Sequence, residues 1–282
     1  MKAPREWETG LVEVADGVFA YVQATGGYCI SNAGLILGDD DALIVDTLFT
    51  PSMNRAFRAA VRRVTKKAPR QLVLTHHHID HTLGNCLYPE CRIISHAKAR
   101  VEIERFGLPD YFLQMVPQFC DEIRDVPVRL PDVTFEGSMT FHLGGRRVEL
   151  LHFGTAHTVG DIAVWLPEER VLFAGDLAFF WVTPVAFEGH ISKWIRVIDR
   201  LLEMEIDAVV PGHGPVGGLD DLRSVRRYLA LVRRQARRAY NRGLDEREAA
   251  QGLRLGEFAS WGEPERARVN IHRLYSEFRH EI

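Results

Sequence analysis

Short apolar and alternating runs dominate the first part of the chain. LVEVA (from Leu11), VFAYVQ (from Val18), YCIS (from Tyr28), AGLILG (from Ala33) and ALIVD (from Ala42) have strand length, and turn residues such as Asp16-Gly17 and Gly38 to Asp41 separate them. Pro51 then opens SMNRAFRAAVRRVT, where Phe57, Val61 and Val64 recur at helical spacing. A buried strand, QLVLT, follows, and after it a second strand–helix pair, RIIS and HAKARVEIERF. Leu108 to Glu122 (LPDYFLQMVPQFCDE) carries two prolines and three aromatics with no clean period, which predicts a lid insertion of short helices near 106–127. A second strand set comes next: VTFEG, MTFHLG, RRVELLHFG, DIAVWLP and RVLFAGD. The helix SKWIRVIDRLLEME and the strand DAVVPG close it. The pattern predicts an α/β chain with two sheets packed between helical layers over residues 1–218, and a helical C-terminal extension over 219–282 packed on it.

The bulk numbers change this picture little. The chain has 282 residues, 46% hydrophobic and 26% charged, with a net charge of −3. That length can bury a large core, and the near-neutral balance makes no electrostatic case for nucleic acid or membrane as a partner. The basic run Arg233 to Arg242 reads as a solvated helix face. Cys29, Cys86, Cys91 and Cys120 form no C-x-x-C pair, and the start shows no apolar signal segment, so the expectation is reduced thiols in a cytoplasmic protein.

The chemistry concentrates in Leu74 to Asn85, LTHHHIDHTLGN. In an extended segment alternate side chains share a face, so His76 and His78 point one way and His77 the other, as a structural or solvent-facing residue. Asp80 and His81 follow where a helix begins. Imidazole and carboxylate donors in an H-x-H-x-D-H pattern suit a borderline-soft divalent metal such as zinc. Three further candidates end strand-like runs beside glycine or another small residue: His157 in GTAHTVGD, Asp176 in LFAGDL and His213 in VPGHGP.

Taken in this order, the H-x-H-x-D-H pattern and its three downstream partners resemble the metallo-β-lactamase superfamily from Leu11 to about Gly217. The resemblance implies an αββα sandwich with two metal sites at one edge of the sheets. It assigns His76, His78 and His157 to the first metal, Asp80, His81 and His213 to the second, and Asp176 to both. Two Zn2+ ions are the implied cofactors, with iron or manganese as the other metals such ligands hold. Two divalent cations, two carboxylates and a hydroxide leave roughly one net positive charge, and water bound there ionises near pH ~7. Asp80 is the candidate catalytic residue, orienting that nucleophile as well as ligating. Asp46, at the end of ALIVD, is the candidate partner of a ligand imidazole, with Thr75 and Asn32 behind it.

Within the family, Asp176 argues against true β-lactamases and His81 against the branch with a cysteine ligand. No basic stripe or second domain of the nuclease type accompanies the site. ATGGYCISNAGLILGDDDALIVDT and VWLPEERVLFAGD resemble the cyclases and thioesterases of aromatic (type II) polyketide pathways. That implies a small-molecule or carrier-protein-bound acyl substrate, taken through thioester hydrolysis, aldol-type ring closure or both. Tyr28, Tyr111, Phe112, Phe179, Phe180, Trp181 and Phe187 are the candidate aromatic lining, with Phe180 and Trp181 foremost because they follow the Asp176 loop. His190 and His96 are further pocket candidates. Rival readings are a lactonase with the same metals and an iron-dependent oxidoreductase resembling the persulfide dioxygenases. The apolar-striped helix Leu222 to Tyr240 allows a homodimer.

Overall fold

The structure, a computed structural model, describes residues 7–282; residues 1–6, counted above with the first domain, lie outside the described residues. Two sheets face each other. In the first, β1 (Gly10–Ala15), β2 (Val18–Val22), β3 (Ala33–Leu37) and β4 (Ala42–Val45) run as an antiparallel meander. β5 (Pro69–Val73), β6 (Arg92–His96) and β7 (Val133–Phe135) then add in parallel. The second holds β8 (Ser138–Leu143), β9 (Arg146–Leu151), β10 (Ala163–Leu166) and β11 (Val171–Phe179) antiparallel, with β12 (Ala208–His213) parallel to β11 at its edge.

Strand periodicity sorts the core into layers. Val18, Ala20, Val22, Ile36, Leu43 and Val45 point inward and meet Val148, Leu150, Val164, Leu166 and Phe173 of the opposite sheet. The intervening Phe19, Tyr21, Leu35 and Ile44 point outward onto α1 (Pro51–Val64) and α3 (Ala97–Phe106), through Phe57, Val61 and Ile103. Thr50 caps α1 by accepting from the Met53 amide at 3.2 Å, and Pro51 supplies a first turn that needs no donor. On the far side, α6 (Ile191–Leu201), α7 (Leu219–Asn241), α8 (Glu246–Gly252) and α9 (Ala267–Phe278) cover Trp165, Leu172 and Ala174 of the second sheet. The layers are αββα, with the C-terminal helices extending the last one. No helix among the described residues is long and apolar enough to cross a membrane.

Three readings need correction. VTFEG does not open the second sheet; as β7 it joins the first, parallel to β6. A parallel neighbour needs a crossover of a dozen or more residues, which α3 and the segment after it provide. YCIS is not a strand. Behind Gly26-Gly27 the chain closes a turn (Ile30 amide to Gly27 carbonyl, 2.9 Å), with Cys29 at φ 62°. The stripe of α7 expected to meet a second copy (Leu222, Val225, Leu229, Val232) is buried within this same chain.

The segment at 106–127 holds α4 (Asp110–Met115), a 3-10 turn at Pro117–Phe119 and α5 (Cys120–Ile123). Its Phe112, Leu113, Val116, Phe119 and Ile123 form a small separate core with Cys29, Phe49 and Leu83.

Candidate metal centre

Every residue of the H-x-H-x-D-H pattern, and each of its three downstream partners, arrives at one edge of the two sheets. His76, His77 and His78 leave the end of β5, and Asp80 and His81 sit on the short helix α2 (Ile79–Thr82). His157 lies on the β9–β10 connection, Asp176 within β11, and His213 at the end of β12. Close approach of β11 and β12 depends on glycine here: a Cβ on Gly212 would stand 1.8 Å from Asp176 Oδ1.

Two groups of donor atoms result. His76, His78, His157 and Asp176 each present an atom within 4.8 Å of the others, as do Asp80, His81 and His213. Asp176 links them: its Oδ2 is 3.1 Å from His157 Nε2 and 3.7 Å from His76 Nε2, and its Oδ1 is 3.1 Å from His81 Nε2. Asp80 Oδ2 lies 3.3 Å from His213 Nε2.

The outer nitrogen of each imidazole decides its tautomer. His213 Nδ1 must donate, because it faces only carbonyls, those of Ile30 (3.0 Å) and Gly26 (3.2 Å). Asp46 Oδ2 takes His81 Nδ1 at 3.0 Å and the Thr75 hydroxyl at 2.6 Å, while Thr75 Oγ1 stands 3.0 Å from His76 Nδ1. Asp46 therefore orients His81 directly and His76 through Thr75. It is held at φ 58°, with its other oxygen accepting the Thr75 amide at 2.7 Å. Asn32 donates to the Pro211 and Gly214 carbonyls on either side of the His213 turn. His78 is turned the other way: its Nε2 meets Glu188 Oε1 at 2.8 Å, leaving Nδ1 for the cluster, 3.0 Å from His157 Nε2.

The centre then holds bare, buried atoms. His76 Nε2, His81 Nε2 and Asp176 Oδ1 have no hydrogen-bond partner among the described residues. His81 Nε2 and Asp176 Oδ1 are 3.1 Å apart without hydrogen-bonding alignment. Unpaired buried polar atoms are costly unless something charged joins them. The electrostatics say the same. Burial works against charge on His213, yet Asp176 and Asp80 raise it to about 9, and the same carboxylates push His81 well above its usual range. Burial would raise Asp80, but His81 and His213 hold it at about 2. The two carboxylates draw positive charge into the middle of the cluster. A nitrogen–oxygen donor set around a carboxylate that spans both groups fits two divalent cations.

A cavity of about 300 Å³ opens over the cluster. His78, Asp80, His157, Asp176 and His213 form part of its floor, and Tyr28, Phe112, Phe179 and Phe187 stand in its wall. Phe180, Trp181 and His190 do not line it. Phe180 is 2% exposed in the core beneath α7, and Trp181 faces a crevice shared with Phe258 and Trp261 on the other side of β11. Strand alternation turns Phe179 toward the metal ligands (its ring stacks on His213, centroids 5.0 Å apart) and its successor away. His190 caps α6, its Nδ1 accepting the Lys193 amide at 3.3 Å, with Glu277 Oε2 3.3 Å from the same nitrogen. His96 likewise caps α3 and stacks on His152 at 4.0 Å, outside the cavity lining. His77 is buried rather than solvent-facing, 2.8 Å from the same Glu188 oxygen as His78.

Two lining residues carried no local signal, Glu188 and Arg266. Both come from segments that only the packing of α9 brings to the cavity.

The sequence profile of the metallo-β-lactamase superfamily matches residues 26–213. The chain is 28% identical over 184 residues to the 2,4-dinitroanisole O-demethylase subunit alpha of Nocardioides sp., covering 63% of this chain and 51% of that one. It is 24% identical over 222 residues to the metallo-β-lactamase type 2 of Bacteroides fragilis, covering 76% and 82%. It is 26% identical over 183 residues to the hydroxyacylglutathione hydrolase of Brucella ovis, covering 64% and 62%. Among solved structures, the stereoselective inverting sec-alkylsulfatase from Pseudomonas sp. superposes with a TM-score of 0.73 at 18% identity, covering 96% of this chain and 50% of that one. A metallo-β-lactamase from Pontibacter korlensis gives 0.64 at 19% identity, covering 78% and 99%. The chain thus spans about half the length of the O-demethylase subunit and the alkylsulfatase. With that profile over two thirds of its length, and the αββα layers beneath it, the chain belongs to the metallo-β-lactamase superfamily.

Proposed function

We propose that the protein is a binuclear metallohydrolase acting on a thioester or related acyl substrate whose acyl body is large and apolar, as in a polyketide cyclase or thioesterase. One observation carries the substrate class. Phe106, Tyr111, Met115, Val128 and Phe187 are all exposed large hydrophobics, and all five line the cavity above the metal ligands. Exposed apolar side chains gathered at one opening mark a binding surface for an apolar ligand.

His76, His78 and His157 would hold one cation, Asp80, His81 and His213 the second, and Asp176 both. When bound, the cations supply Lewis acidity and a water nucleophile active at neutral pH. The chain's own residues do the rest. Tyr28, Phe112 and Phe187 hold the apolar body and exclude water from the reacting carbonyl. Asp80, beside His213 at the cavity floor and held ionised by His81 and His213, orients the attacking water by accepting a hydrogen bond from it. The one guanidinium in the lining among the described residues, Arg266, is already paired with Glu263, and Glu188 is engaged by His77 and His78, so that wall offers no free arginine to an alkyl sulfate.

Release of free thiol from a panel of aliphatic and aromatic β-keto thioesters tests this reading, with a chelator-stripped and remetallated sample as control. Metal-dependent release that rises with acyl size is the expected result. Turnover of lactones or alkyl sulfates without thioester cleavage would overturn it; ring-closed product without thiol release would move the reading to cyclisation alone.

A further inference from the structure

His78 differs from the other ligand histidines in what steadies it. His76, His81 and His213 are fixed by Asp46, Thr75 and backbone carbonyls at the sheet edge. His78 leans on Glu188, which lies 110 residues further along the chain. Glu188 Oε1 is 2.8 Å from His78 Nε2 and 2.8 Å from His77 Nε2. A carboxylate oxygen can only accept here, so both imidazoles donate from Nε2. For His78 that choice leaves Nδ1 bare, pointing into the cluster.

Glu188 is itself held. It sits on the irregular stretch between β11 and α6, and nothing in that stretch alone defines its direction. Arg273 of α9 donates to the main-chain carbonyls of Glu188 and Gly189. Asn270, one turn earlier on the same helix, accepts the Ala186 amide at 2.8 Å and donates to the Pro184 carbonyl at 2.8 Å. Both side chains clamp backbone rather than side chain, so they fix where the stretch lies. On the opposite side His77 braces the carboxylate, its ring stacked on Phe106 at 6.1 Å and 10°.

We propose that Glu188, clamped by Arg273 and Asn270, is the positioning residue that sets the His78 tautomer, which makes the C-terminal helix part of the first metal site. The proposal rests on His78 being a metal ligand, as read above. It distinguishes Glu188 from Asp46: loss of Glu188 weakens only the group containing His78, whereas Asp46 reaches both groups.

Two readouts test it without activity. The first is long-range 1H–15N NMR of the histidines in the metal-free protein. Wild type shows His78 with the proton on Nε2; Glu188→Leu and Arg273→Met shift it toward a mixture, and Glu188→Gln, which keeps one acceptor oxygen, restores it in part. The second is competition for Zn2+ with a chromophoric chelator. Glu188→Leu weakens one of two equivalents about 10- to 100-fold and leaves the other within about two-fold. Far-UV circular dichroism of each variant keeps misfolding out of the comparison. An unchanged His78 tautomer and two unchanged zinc affinities in Glu188→Leu would overturn the proposal. His78→Ala separates the two levels: if it keeps both equivalents, His78 is no ligand and the underlying reading fails; if it loses one while Glu188→Leu loses none, only the present proposal fails.

Discussion

The two donor groups are built from the same residue types and share Asp176, yet they are steadied differently. In the Asp80–His81–His213 group, both imidazoles find the acceptors for their outer nitrogens at the edge of the sheets, in Asp46 and in the Gly26 and Ile30 carbonyls. In the other group His76 reaches Asp46 through Thr75, His78 depends on Glu188 and hence on α9, and His157 Nδ1 has no protein partner. The acceptors for His81 and His213 lie at the sheet edge, whereas the acceptor for His78 sits on a stretch whose backbone α9 holds through Arg273. The difference teaches that the C-terminal helices contact the surroundings of the donor cluster as well as the core.

The largest expected effect removes what the groups share. Asp176→Ala should abolish binding of both zinc equivalents, read by metal analysis after dialysis; retention of one full equivalent would show that the groups are independent. Asp80→Ala should lower kcat/KM by more than about 10²-fold with the fold retained, since it takes away a candidate ligand and the group that orients the nucleophile together. Near-normal turnover in that variant would sink the assignment of Asp80.

Asp46→Asn comes next. It leaves fewer acceptors for three donors in a fully buried spot, so both zinc affinities should fall about 10- to 100-fold, with a lowered melting temperature. A loss confined to one equivalent would contradict the relay through Thr75. His77→Ala should cost less than Glu188→Leu, because it removes a brace on the carboxylate and leaves the carboxylate in place. Equal losses in zinc titrations would mean that His77 itself ligates.

The smallest effect is away from both groups. Burial and the neighbouring His152 and Lys98 lower His96 to about 4. A histidine whose folded pKa lies below its unfolded value of about 6.5 binds its proton more readily when unfolded. Stability is therefore highest above pH ~6.5 and falls as pH drops toward 4, by about 1 kcal/mol between pH 6.5 and 5. Urea unfolding at the two pH values measures this, and His96→Asn, which keeps a capping side chain for α3, should flatten that part of the slope. An unchanged slope would place the titration elsewhere.

Much of the site was legible because its chemistry is local. Six consecutive residues from His76 to His81 carry four of the seven candidate ligands, and strand-like runs ending near glycine or another small residue marked His157, Asp176 and His213, although Asp176 lies within β11 and His157 on a connection. The layers were legible for a similar reason: β2, β3, β4 and β10 are short runs that are apolar on both faces, as strands covered on both sides must be. Other features were not. Phe180 and Trp181 look well placed beside Asp176, but of the three adjacent aromatics only Phe179 meets the cavity, which the pleat of β11 against β12 decides. VTFEG has the composition of either sheet, and only a long crossover decides that it joins β6.

The amino-acid sequence by itself indicated two sheets through its periodicity and the candidate donor set through residue type and spacing, and those motifs carried the resemblance to the superfamily. Tertiary structure alone decided which nitrogen of each histidine faces the centre, because that is set by acceptors as far away as Glu188 for His78 and the Gly26 carbonyl for His213. It alone gathered Phe106, Tyr111, Met115, Val128 and Phe187 around one opening, since no short-range pattern relates residues from α3, the short helices and the stretch after β11.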